Sequence, residues 1–188
     1  MSLPAPAPRR HMHTRAIRFE AYEREDGLWD IEGFMVDTKT YAVKEPYRGH
    51  RPAGAHVHDM ALRLTLDEKM VVRDIEVSTA HAPYEPCFSV GPAFKAMIGA
   101  QIGSGWRKAI NAAVGGVKGC THLKELMISA ATVAYQAMGR WPREADVPVA
   151  DKPATPAEKP YFLDGCRAWD TSGEVTRRLY PLHFRPKA

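Results

Sequence analysis

Two successive stretches, HVHDMALRLTL from His56 to Leu66 and VVRDIEVSTAH from Val71 to His81, alternate apolar and polar side chains. A period of two marks half-buried strands. It constrains this chain more than any other feature, because a slip of one residue would turn a whole apolar row to water. Met60, Leu62, Leu64 and Leu66 share one face, with Asp59, Arg63 and Thr65 on the other; Val71, Ile75 and Val77 share a face of the second strand. The residues DEKM, 67–70, connect the two and predict a hairpin with Leu66 opposite Val71, Leu62 opposite Ile75 and Met60 opposite Val77. The same ladder sets Thr79 across from His58 and His81 across from His56, with β-carbons about 5 Å apart in direct pairs. Three imidazoles, His56, His58 and His81, then converge at the open end and point inward.

Upstream, AIRFEAYEREDGLWDIEGFMVDTKTYAV alternates around Asp26-Gly27, a dipeptide suited to tight turns, and predicts a second antiparallel pair. After Pro86 the period becomes helical. SVGPAFKAMIGA predicts a short helix, SGWRKAINAAVGG a second with Ser104 as its N-cap, and THLKELMISAATVAYQAMG a third ending at Gly139. Leu123, Leu126, Met127, Ala130, Ala134 and Ala137 give the third an apolar stripe for packing on a sheet. The expected class is α+β: an antiparallel sheet from N-terminal hairpins packed against three C-terminal helices. Trp29, Phe94 and Trp106 are assigned to its core.

A chain of 188 residues, 45% apolar, fits one modest domain with additions. The Pro- and Ala-rich residues 1–14 are expected to be disordered, and residues 15–141 to form the core. PREADVPVADKPATPAEKP, 142–160, reads as a linker or arm. Residues 161–188, with a turn at Asp164-Gly165, are expected as an extended tail packing back on the core. No apolar run reaches the roughly 18 residues of a membrane span, and the first residues lack the apolar centre of a secretory signal, so a cytoplasmic location without membrane contact is expected. The widely spaced Cys87, Cys120 and Cys166, with no CxxC pair, point to a reducing compartment and argue against disulfides or a zinc knuckle. The net charge of +4 comes from scattered Lys and Arg, which excludes nucleic acid as the expected partner. A small-molecule substrate is expected instead, with a homodimer as the commonest symmetric association.

The chemistry concentrates in two places. GGVKGCTHLKEL puts Cys120 and His122 at the start of the third helix, where free N–H groups and the helix dipole favour a thiolate. Glycines at 115, 116 and 119 let the backbone approach a ligand, and Thr121 is placed to cap the helix. His56, His58 and His81, joined by Cys120 or His122, make a ligand set suited to zinc or iron, although their spacing matches no motif such as HExxH. The simpler reading has these imidazoles satisfied by backbone carbonyls at a strand end. Asp59 faces away from them and suits a pairing with Arg63. In HAPYEPC, Tyr84 and Glu85 lie on a loop held by rigid elements and are acid–base candidates beside the catalytic candidates His58 and Cys120. Cys87 serves equally as a small apolar residue.

YEREDGLWDIEG, VDTKTY, GAHVHDMALRL, APYEPC and GCTHLKEL together resemble a bacterial family of unknown function, DUF2889, from about Arg15 to Met138. The resemblance implies an accessory role in small-molecule catabolism, including that of aromatic compounds. The order HVHDMALRLTL, MVVRDIEVSTA, GCTHLKELM is also similar in layout to the scaffold proteins of iron–sulfur cluster assembly. Histidines stand here where that family has cysteines, and only Cys120 keeps its place, so a thiolate-held cluster does not follow. The expected function is a small-molecule enzyme (lyase, isomerase or hydrolase) with a His/Cys pocket able to hold a divalent metal. The alternative is a metal or iron–sulfur carrier without turnover.

Overall fold

The computed structural model describes residues 3–139, 159–160 and 162–187. It divides into two units, Met1–Gly139 and Arg140–Ala188. The first is α+β. Strands β1 (His13–Glu23), β2 (Trp29–Lys39), β5 (His56–Leu66) and β6 (Val72–His81) form an antiparallel sheet in the order β1-β2-β5-β6. A small hairpin of β3 (Val43–Glu45) and β4 (Gly49–Arg51) stands apart from it. Helices α1 (Trp106–Val114) and α2 (Thr121–Met138) follow, and α2 packs across β1, β2 and β5.

The alternation of the sequence is the alternation of the sheet. Ile31 and Met35 of β2, Met60, Leu62, Leu64 and Leu66 of β5 and Ile75 of β6 are buried, facing Leu123, Leu126, Met127, Ala130 and Ala134 of α2. Phe94 and Trp106 join this core, and Trp29 packs against it. The ring of Phe19 lies across Gly33, its partner in the β1/β2 register; a β-carbon there would meet the ring at 2.6 Å and displace it. The β1/β2 turn is made as Asp26-Gly27 suggests, with Gly27 at φ 80 and the Leu28 amide donating to Asp26.

The β5/β6 register differs from the expected one. Leu62 pairs with Val77, Leu64 with Ile75 and Met60 with Thr79, a displacement of two residues that keeps each apolar row on its face. The cause lies in the turn. The Asp67 carboxylate accepts the amides of Lys69 and Val71 and the guanidinium of Arg73, Met70 takes a left-handed φ of 59, and Val71 bridges to Gln101 instead of entering β6. The connection is thus longer than DEKM, and a bulge between Thr65 and Leu66 absorbs the remainder.

Other expectations also shift. β1 begins at His13, inside the segment assigned to a disordered terminus, while residues 3–12 are exposed. SVGPAFKAMIGA is not an α-helix: it holds a 3-10 helix at Gly91–Met97, preceded by another at Glu85–Ser89, each with a proline at its second position. Ser104 does not cap α1; Gly105, at φ 92, occupies the cap position. Residues 142–158 of the proline-rich arm lie outside the described residues. Within the second unit the described residues are not an extended tail. They form short helical turns, including α3 (Glu174–Leu179), around Phe162, Trp169 and Tyr180, whose ring centroids lie 4.8 to 5.6 Å apart. Asp164 makes its turn at φ 64.

Candidate functional site

Arg15, Asp37 and His58 occupy paired positions on the three adjacent strands β1, β2 and β5, so the ladder sets them in one row on the core face. Asp37 continues the buried series of β2 after Ile31, Gly33 and Met35. A carboxylate there, 3% exposed, needs partners, and it has three. Arg15 grips it bidentately, Nε to Oδ1 and Nη2 to Oδ2, both at 2.9 Å. His58 Nδ1 donates to Oδ2 at 2.9 Å, and His13 Nε2 lies 3.1 Å from Oδ1. Arg15 also reaches Glu125 of α2 at 3.3 Å.

Burial pushes the Asp37 carboxyl up, but the hydrogen bonds from Arg15 and then His58 outweigh it and hold it at about 2. An ionised carboxylate only accepts, so the proton of the His58 contact sits on Nδ1. Nε2 is then the nitrogen left for the cleft that His58 lines. Burial, followed by repulsion from His58 when it is protonated and from Arg15, lowers His122 below the ordinary imidazole value, which favours its neutral form near pH 7.

The N-terminus of α2 completes the site. Cys120 is its N-cap, with extended backbone and no side-chain cap bond, and Thr121 is the first helical residue, not the cap. Cys120 Sγ lies 3.8 Å from His122 Nδ1 and 3.9 Å from Met60 Sδ. The His58 and His122 rings approach to 4.1 Å between centroids, tilted by 42°. These groups face an open cleft of about 650 Å³ with Tyr84 and Cys87 in its lining and apolar walls from Pro83, Val90, Ala93 and Val117. Burial and the neighbouring Cys120 raise the Cys87 thiol. Arg48 of the β3–β4 hairpin donates to the Ala82 carbonyl, and Tyr47 meets Tyr84 edge-on at 5.8 Å, so the hairpin borders the cleft. A second depression, of about 370 Å³ in the C-terminal unit, contains no imidazole or thiol.

The three histidines of the hairpin do not converge. A bulge between Asp37 and Thr38 leaves β5 with an extra residue, and another between Asp59 and Met60 leaves β6 with one. The first turns His56 to the face opposite His58; the second pairs His81 with Asp59, also on that outer face. His56 Nδ1 lies 2.9 Å from Asp59 Oδ2, and Arg63 pairs with Glu32 in place of Asp59. His58, Cys120 and His122 therefore form one set and His56 and His81 another. Tyr84 lines the cleft, while Glu85 is exposed outside it.

The family described as Protein of unknown function (DUF2889) matches the chain over residues 13–136. The chain belongs to DUF2889. The DUF2889 match opens on the first residue of β1 and closes two residues before the end of α2, so it takes in the whole sheet and every residue of the cleft. No curated protein and no solved structure matches the chain, and the expected likeness to iron–sulfur scaffold proteins is not shown. Among the described residues, no helix is long and apolar enough to cross a membrane. Two members of this candidate site, Asp37 and Arg15, carry neither an imidazole nor a thiol and so do not stand out in the sequence. The signal for Asp37 is parity: in IEGFMVD it follows Ile31, Gly33 and Met35 at steps of two, an acid on a buried row.

Proposed function

We propose that this chain is a small-molecule enzyme in which His58 moves a proton to or from an organic substrate held in the cleft. The observation that carries the reading is the Asp37–His58 hydrogen bond of 2.9 Å, made at the end of a buried charged row and opening onto a cleft. Asp37 fixes the imidazole through Nδ1 and, clamped by Arg15, keeps its charge to stabilise the imidazolium that forms when Nε2 takes a proton. The electron pair left on the substrate passes to a leaving group in a lyase or to a neighbouring carbonyl in an isomerase. In a hydrolase the proton comes from water or from the Cys120 thiol, whose neighbour His122 is neutral and able to accept it. Apolar walls and Tyr84 suit a substrate with an aromatic body, and the cleft volume is within the usual range for small ligands. Turnover on a panel of aromatic acids, esters and thioesters should fall about a hundredfold in His58→Ala with the fold intact. Undiminished turnover in that variant would reject the role of His58.

A carrier of zinc or iron without turnover is the second reading. It is favoured by ligand-capable atoms of Asp37, His58 and His122 lying within 4.8 Å of one another. Against it, each Asp37 oxygen already accepts two contacts and a guanidinium sits beside it, where a cation would be repelled. Metal analysis of protein purified without added metal separates the two.

A further inference from the structure

The outer face of the sheet holds a second group of two imidazoles and one carboxylate, outside the cleft. Asp59 points there because it alternates with His58 and Met60. In an unbroken ladder His56 and His81 would point to the core face with His58. Two separate bulges, in different strand pairs, re-aim both of them toward Asp59. The His56 and His81 rings then stand 5.4 Å apart between centroids and nearly perpendicular, at 86°. One ligand atom from each of His56, Asp59 and His81 lies within 4.8 Å of the others. Ligands around a tetrahedral ion with 2.0–2.1 Å bonds stand about 3.3 Å apart, inside the 4.8 Å that bounds these three atoms. His56 and His81 are exposed, so a cation arriving from solvent leaves little buried charge to compensate.

From this geometry we infer that His56, Asp59 and His81 bind one divalent first-row transition cation, with remaining coordination positions open to water. Two imidazoles and a carboxylate suit zinc, iron, cobalt or nickel, and no thiolate takes part. The ion joins the start of β5 to the end of β6.

A titration of the untagged full-length protein with Co2+, followed by absorption and imidazole proton NMR, tests the site. It should show one saturable Co2+ per chain, no thiolate-to-cobalt charge-transfer band, and broadening of the His56 and His81 signals. His56→Gln, His81→Gln and Asp59→Asn should each weaken binding at least about tenfold, whereas Cys120→Ser and His122→Gln should leave it unchanged. The three outer residues are partly or fully exposed, so the variants fold, which circular dichroism verifies. Absence of saturable binding, a charge-transfer band lost in Cys120→Ser, or unchanged affinity in the His56 and His81 variants would each overturn the inference.

Discussion

The two faces of one sheet carry the same three side chains, an aspartate and two histidines, in different physical settings. On the core face Asp37 is 3% exposed and held by Arg15, His58 and His13; on the outer face Asp59 is 36% exposed and bonded to His56. Burial makes the difference. Inside, an unpaired carboxylate is unaffordable, so the partners are fixed, and fixed partners are what acid–base chemistry requires. Outside, water can replace any contact, so the group is free to exchange its hydrogen bond for a metal. Residue type alone therefore assigns neither role; face and neighbours do.

The contrast is broken most forcefully by removing each carboxylate in turn. Asp37→Ala leaves Arg15 and His58 without their buried counter-charge and should cost about 3 kcal/mol in urea unfolding. A loss below about 0.5 kcal/mol would mean that the core-face network contributes no more than a surface pair.

The histidines sharpen it next. His58→Ala should lower turnover about a hundredfold, roughly 2.7 kcal/mol of barrier, and His56→Ala should leave turnover on the same substrate unchanged. Equal losses in both would place the two faces in one site.

Acid supplies the third test. The Asp37 carboxyl falls from its ordinary 3.8 to about 2 in the folded protein. Its stabilisation is thus complete above the unfolded value and lost as pH drops from about 4 toward 2, amounting to about 2 kcal/mol. Unfolding free energies measured across that window should include this loss in the wild type, and Asp37→Asn should reduce the total by about that amount. A slope unchanged in Asp37→Asn would assign the acid sensitivity to the other carboxylates held low by their partners, Asp164 among them. The smallest effect belongs to Asp59→Ala, within about 0.5 kcal/mol of wild type without metal.

Much of this frame is legible in the residues. Apolar parity places Met60, Leu62 and Leu64 on the core face, and the stripe from Leu123 to Ala134 places α2 over it. Cys120 and His122 are readable as a pair because the glycines before them announce a helix start. The division of the histidines is not readable. It depends on two bulges and on the Asp67 turn, and each is settled by which pairing buries the apolar rows best, a balance between strands and not a property of either. The helical pattern of SVGPAFKAMIGA is likewise legible, but not that its turns are 3-10 and not α.

Everything proposed for the cleft requires that Asp37 hold His58 with its proton on Nδ1 and its lone pair turned to the cleft. Long-range nitrogen–proton correlation NMR of the imidazoles near pH 8 measures this directly. The wild type should show a protonated Nδ1 and a bare Nε2 for His58, with that preference lost in Asp37→Ala. A proton on Nε2 in the wild type, or an unchanged tautomer in Asp37→Ala, would contradict it.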